Sequence, residues 1–401
     1  MKAFPSLALF LWFGIMVYGQ SAKEQLALAN AAQLDHSSGT IAFTYQDKFG
    51  YLIVPVNIGS ETYDYIFDTG GYNTITTTIM QHNDLNPVMQ VEVGSSNQKK
   101  AKIDLVSIPT LAVGGIPFTQ VGAFNFDFEE APQIPCYTNG GLIGKGIIRH
   151  GIWQIDSEAK QIRFSTELKD MPHMRTAIPI KVKLDKTFNP FFKAKINGQN
   201  HRFLLDLGYG GMVSLTQKTA QNLKITNTLE IQGEGSVGAH GSKIENSHLA
   251  QLESLQIGSG KIERPIARYA ASNNHNLIGA DILEHFILTL DFERSTLYLT
   301  PLDHKTDKGK TSFGLDFNKG TNGGTAYISR IFGNGPAQKA GLLLYDTIEA
   351  VNGQVLTDME YCDFYDYVNT QLGQETPLTL TVLRKTGIEK VVLKKAHLFT
   401  K

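Results

Sequence analysis

The chain has 401 residues, 42% of them hydrophobic and 19% charged, with 37 Lys+Arg against 38 Asp+Glu. That balance excludes a disordered chain and leaves no basic field to hold nucleic acid. The length points to two or three domains, and the 38 glycines among short β-branched and aromatic runs point to many short strands rather than a helical bundle.

The first element is not part of the fold. Met1 and Lys2 precede an apolar stretch from Leu7 to Val17, followed by Gly19 and then polar residues. The stretch is shorter than the roughly 20 residues that span a bilayer. It reads as a signal peptide over 1–19, removed near Gly19, and it predicts an exported chain with no stable membrane span after cleavage.

Next comes an internal repeat. The first copy opens with the strand Val54–Gly59, continues through Tyr65-Ile66-Phe67-Asp68-Thr69-Gly70, reaches Leu142-Ile143-Gly144, and closes at Gln154-Ile155-Asp156. The second opens with Phe192–Gly198, continues through Phe203-Leu204-Leu205-Asp206-Leu207-Gly208, reaches Leu277-Ile278-Gly279, and closes at Thr289-Leu290-Asp291. Asp68 and Gly144 are 76 positions apart, Asp206 and Gly279 73; Asp68 and Asp156 are 88 apart, Asp206 and Asp291 85. Anchors that keep order and spacing predict two β-rich lobes, 40–170 and 171–302, each with one short helix led by Gly144 or Gly279. The stretch from Asp303 to Lys310 reads as a flexible linker, and a third domain follows over 311–401.

Each copy delivers an aspartate from a buried strand into a glycine turn. If the lobes pack about a pseudo-twofold axis, Asp68 and Asp206 meet. Two carboxylates about 3 Å apart share one proton, so one acts as general base on a water while the other protonates the scissile carbonyl. Other motifs fail on mechanism. Gly233 to Gly238 fits a dinucleotide fingerprint by letter, but no helical period follows it. Gly140 to Lys145 approaches a phosphate loop, but the spacing is one short and Gly146 stands where Ser or Thr is needed. Asp281, Glu284 and His285 read as a solvated polar face rather than metal ligands, so no metal and no cofactor is expected. Cys136 and Cys362 read as buried free thiols, a bridge between such distant segments being the lesser reading.

On Asp68-Thr69-Gly70, Leu142-Ile143-Gly144 and Leu277-Ile278-Gly279, the chain resembles a two-lobed retropepsin-like (pepsin-type) aspartic protease of the bacterial exported kind, periplasmic or secreted. The resemblance implies a mainly β fold, two β-barrel lobes related by a pseudo-twofold, and peptide hydrolysis by catalytic Asp68 and Asp206. It implies an active-site loop at Thr69, Gly70, Leu207 and Gly208, and flap hairpins near Val93–Ser96 and Gly233–Gly241 over a peptide or protein substrate. Leu207 departs from the family's Thr and can only pack, so one hydrogen bond that braces the two loops is lost.

The third domain resembles a PDZ domain through Ala337-Gln338-Lys339-Ala340-Gly341-Leu342, Asp346-Thr347-Ile348 and Val351-Asn352-Gly353. That resemblance implies peptide binding at Gly314, Leu315, Asp316 and Phe317, the partner being a peptide segment or a protein C-terminus. Asp316 stands where the family usually has Gly, so an internal segment or a lobe of the same chain are further occupants. The leading expectation is an exported aspartic endopeptidase whose PDZ domain recruits or regulates, with recruitment favoured by the linker. The alternative is a catalytically impaired protease-fold scaffold that binds peptides.

Overall fold

The computed structural model describes residues 9–10, 20–35, 39–94, 100–129, 131–238, 241–303, 311–320, 324–385 and 387–399. The expected leader, 1–19, lies outside them apart from Leu9–Phe10, and the expected linker lies outside them from 304 to 310.

The protein is mainly β. Tyr51–Ile58 pairs with Glu61–Phe67 across a two-residue turn in which Gly59 has φ +61°. The end of the second strand, Tyr65-Ile66-Phe67, is wholly buried, and Gly141–Ile143 lies parallel to it with Leu142 beside Ile66. The same arrangement recurs further along. Pro190–Ile196 pairs with Gln199–Leu205 across Asn197 (φ +48°) and Gly198 (φ +79°), the left-handed pair that a tight hairpin demands, and Leu277–Ile278 lies parallel with Leu277 beside Leu204. After each parallel strand the chain turns into a short helix, Lys145–Ile148 or the 3₁₀ segment Ala280–Glu284, led by Gly144 and Gly279 as expected.

A six-stranded sheet ties the two halves together. Its order is Ile178–Lys181, Thr296–Pro301, Phe286–Asp291, Ile152–Asp156, Gln161–Ser165 and Ile41–Thr44. The seam is the antiparallel pair Trp153↔Leu290 and Ile155↔Leu288. Side chains from both halves, among them Phe67, Trp153, Leu207 and Leu288, share one apolar core.

The described residues between 311 and 399 form a further β unit around the helix Tyr361–Gly373. Its core holds Phe313, Leu315, Ile328, Ala337, Leu342, Ile348, Phe364, Leu380 and Val382. Gly341 (φ +77°) ends the helix Pro336–Lys339, and Asn352 with Gly353 turns the chain from Val351 to Gln354.

Among the described residues, two seams bind this unit to the rest. The strand Thr228–Gly238 pairs antiparallel with Ala326–Phe332, Ile231 against Phe332 and Gly233 against Arg330. Gly233 has φ +120°, and a Cβ there would strike the Ser329 carbonyl, so the seam requires glycine. The second seam is a disulfide, Cys136–Cys362, which overturns the free-thiol expectation. It joins the 3₁₀ turn Ile134–Cys136 to the first turn of the long helix, with Cα atoms 5.2 Å apart. Docking brings the two sulfurs together: Phe49, Tyr51, Tyr137, Tyr361 and Tyr365 interlock around the bridge, with ring centroids 5.3–6.4 Å apart. A sequence separation of 226 hides such proximity. Among the described residues no helix is long and apolar enough to cross a membrane.

Candidate active site

Asp68 and Asp206 each sit one residue beyond a buried strand. The Asp68 N–H donates to the Ile143 carbonyl at 2.9 Å, and the Asp206 N–H donates to the Ile278 carbonyl at 2.9 Å. The parallel strands of the repeat therefore hold each aspartate backbone in the same way.

The two loops interlock. Gly70 lies under the carboxyl of Asp206, where a Cβ would come within 2.7 Å of its Cγ. Gly208 lies under the carboxyl of Asp68, where a Cβ would come within 2.5 Å of its Cγ. The glycines are needed for close approach, and that approach brings the carboxyls of Asp68 and Asp206 within hydrogen-bonding reach of each other.

Thr69 is fully buried and braces the loops across the interface. Its Oγ1 donates to the Leu205 carbonyl at 2.8 Å and accepts from the Leu207 N–H at 3.0 Å. Leu207 is buried in the shared core and returns no side-chain hydrogen bond, as its chemistry dictates. Its backbone nonetheless takes part in the brace.

The electrostatics of the pair are unequal. Asp68 Oδ1 accepts from the Gly70 N–H at 2.8 Å and the Gly71 N–H at 3.0 Å. Asp206 Oδ1 accepts from the Gly208 N–H at 3.1 Å. Burial raises both carboxyls above the ordinary aspartate range, since a charge is costly away from water. For Asp68 the two backbone donors and Asp206 itself oppose that rise. For Asp206 the neighbouring Asp68 charge adds to it and holds this carboxyl well above the ordinary value. Both carboxyls are thus held above the ordinary range, and the backbone donors favour a negative charge on Asp68 more than on Asp206.

One charged residue here was not singled out as a site. Lys145, the last letter of the failed phosphate-loop motif, is 1% exposed. Its ammonium donates to Asn189 Oδ1 at 2.7 Å, approaches the Gly70 carbonyl at 3.5 Å and sits 4.0 Å from the Tyr72 ring centroid. A lysine directly after the Leu-Ile-Gly run was the available signal.

Both expected flap regions are long hairpins, Pro87–Gly94 with Lys100–Val113 and Thr228–Gly238 with Gly241–Ile244. Their tips, 95–99 and 239–240, lie outside the described residues. Gly233 to Gly238 form the end of a strand. Asp281 is buried, and the described residues contain no cluster of three or more His, Cys, Asp or Glu side chains arranged for a metal.

In the C-terminal unit, Gly314 has φ +79° and its N–H donates to Ser312 Oγ at 3.0 Å. Leu315, Asp316 and Phe317 are buried at the start of the strand Leu315–Lys319. Asp316 faces Arg330 at 3.4 Å, and both are buried. Arg330 also donates to the carbonyls of Glu234 and Gly235 in the strand Thr228–Gly238. The Glu234 carboxylate accepts from Asn318 at 2.8 Å and from the Tyr327 hydroxyl at 2.7 Å.

No protein-family model matches the chain, and no curated protein matches it. Solved structures similar to it include a retropepsin-like aspartic protease from Rickettsia conorii, with 21% identity over 31% of this chain and 89% of that chain at a TM-score of 0.24. Basic 7S globulin from soybean matches with 10% identity over 65% of this chain and 95% of that one at a TM-score of 0.37. Conglutin gamma, a basic 7S globulin from lupine seeds, matches with 11% identity over 66% and 95% at a TM-score of 0.42. At these scores the likenesses carry no argument about activity.

Proposed function

We propose that the chain is an aspartic-type endopeptidase, with two lobes related by a pseudo-twofold and a C-terminal PDZ domain. The observation that supports it best is the reciprocal seating of two buried carboxyls, each over the glycine of the opposite loop. Ionised Asp68 takes a proton from a water, and that water attacks the peptide carbonyl carbon. Protonated Asp206 gives its proton to the carbonyl oxygen, yielding a neutral tetrahedral diol. Collapse of the diol transfers a proton to the leaving nitrogen, breaks the C–N bond and returns a proton to the pair. The Thr69 brace keeps the two loops in register through this exchange.

We read the chain as exported, periplasmic or secreted. The Cys136–Cys362 bridge supports that reading, because disulfides persist in oxidising compartments.

The PDZ reading includes regulation as well as recruitment. Among the described residues, Leu315–Lys319 pairs only with Ala326–Phe332, which leaves one strand edge for a peptide. On its other side Ala326–Phe332 pairs with Thr347–Val351 near its start and with Thr228–Gly238 near its end, so a peptide laid on the free edge is separated from that second flap strand by two strands.

The test is digestion of a mixed peptide library by the full chain and by Asp68→Asn. Cleavage by the first and its loss in the second supports the endopeptidase. Peptide binding without cleavage by either would establish the scaffold reading. Glu234→Gln, which weakens the flap seam, is expected to raise KM for short peptides severalfold with little change in kcat. An unchanged KM would remove regulation and leave recruitment.

A further inference from the structure

The repeat that places two aspartates symmetrically breaks its symmetry one residue beyond each helix-leading glycine. Gly279 is followed by Ala280, and Gly144 by Lys145. A buried lysine is costly unless the site uses its charge. Among the described residues Lys145 has no direct ion pair. Asn189 reaches it from the other half of the molecule, and its amide is polarised in one sense. Its Nδ2 donates to Asp185 Oδ2 at 3.0 Å and to Thr187 Oγ1 at 2.9 Å, which leaves Oδ1 to accept from the ammonium. Asp185 itself is fixed by the backbone N–H groups of Thr187 and Asn189. A chain of contacts thus runs from Asp185 through Asn189 and Lys145 to Gly70, the residue beneath the Asp206 carboxyl.

Resting on the endopeptidase reading, we propose that Lys145 is a positioning residue of the aspartate pair: held across the interface by Asn189, its ammonium pins the Gly70 carbonyl and keeps the pair singly negative toward lower pH. The charged and titratable groups that face it are Asp68 and Asp206 from the two loops, Asp185 from the segment before Pro190–Ile196, and the Tyr72 ring. Arg149, just past the end of the same helix, turns away to the Asn30 carbonyl and the Phe188 ring. The sign follows from charge alone. A cation favours the ionised form of both carboxyls, and it opposes the rise that burial imposes on each. Burial in turn lowers the lysine to about 8, against the pull of Asp185, Asp68 and Asp206.

Two readouts test this. In the first, kcat/KM for one cleaved peptide is followed against pH for the wild type and Lys145→Met. The expected result is an acid limb displaced upward by about 0.5–1 pH unit, that is, a roughly three- to tenfold loss at a fixed pH on that limb. Limbs left in place with only kcat lowered would assign Lys145 a purely structural role and overturn the proposal. If Lys145→Met does not fold, Asn189→Leu removes the acceptor and is expected to displace the limb in the same direction by less; no displacement overturns the proposal equally. The second readout needs no turnover: NMR titration of the Lys145 Cε resonance in the full chain. A midpoint near 8 is expected, moving lower in Asp68→Asn because an anionic neighbour is gone. An ordinary lysine midpoint, indifferent to Asp68→Asn, overturns the proposal even if no peptide is cleaved. Absence of cleavage with the shifted midpoint present would sink the endopeptidase reading alone.

Discussion

The loops Asp68-Thr69-Gly70 and Asp206-Leu207-Gly208 have the same backbone frame and different chemistry. Each aspartate N–H bonds the matching strand carbonyl, and each glycine seats the other loop's carboxyl. The first loop, however, supplies the Thr hydroxyl that holds both loops together, and it gives its carboxylate two backbone donors. The second supplies an apolar side chain and one donor. The difference teaches that the loops divide their work: the first carries the brace and the carboxyl with more backbone donors, and the second carries packing and the carboxyl pushed further up. The bond absent at Leu207 does not leave the loops unbraced, because one hydroxyl that both donates and accepts spans the interface.

The largest expected effect comes from removing either carboxyl. Asp68→Asn and Asp206→Asn should each lower peptide turnover by about 10²- to 10⁴-fold, the usual worth of a positioned acid or base. Steady-state kinetics on one peptide decides this. A variant retaining near-full activity would break the division of labour.

Thr69→Val is next. It leaves the Leu205 carbonyl and the Leu207 N–H buried without a partner, at about 1–3 kcal/mol for each group. We expect a loss of about 2–6 kcal/mol in denaturant unfolding, with turnover lowered as the loops slip. A Leu207→Val control loses only packing, about 0.5–1.5 kcal/mol if it follows similar single-methylene truncations. Equal losses in the two would show that the brace adds nothing beyond packing.

The smallest effect is in the pH dependence of stability. Burial raises the folded-state carboxyl of Asp206 above its unfolded value. The stability this group contributes is fully present below the unfolded value, near 4, and is lost as pH rises through the folded one. Asp206→Asn removes that loss. The difference in Tm between wild type and variant should therefore move in favour of the variant from pH 4 to neutral pH. A difference independent of pH would mean that Asp206 titrates normally.

Much of this arrangement was legible in the sequence because the repeat is written in local signals. Apolar strand ends, glycine turns and Asn197-Gly198 each specify their own geometry, and equal spacing linked the two copies. What stayed hidden depends on surfaces that meet only after folding. Cys136 and Cys362 meet because an aromatic cluster docks the long helix onto a 3₁₀ turn. The pairing of Thr228–Gly238 with Ala326–Phe332 joins an expected flap to a segment of the expected third domain, and nothing local in either marks the other as its partner. Lys145 looked like a failed phosphate motif because its partners, Asn189 and Asp185, lie in the other half of the chain.

The division of charge between the two loops is open to direct measurement. Carbon-13 labelling of the aspartate carboxyls, followed by NMR across a pH titration, should reveal one carboxyl in the wild type that stays protonated well above the ordinary aspartate range. That raised titration should disappear in Asp206→Asn, and in Asp68→Asn it should move down yet stay above the ordinary range, because burial persists while the neighbouring charge is gone. Two carboxyls that both titrate in the ordinary range in the wild type, or a raised titration that vanishes only in Asp68→Asn, would contradict the account.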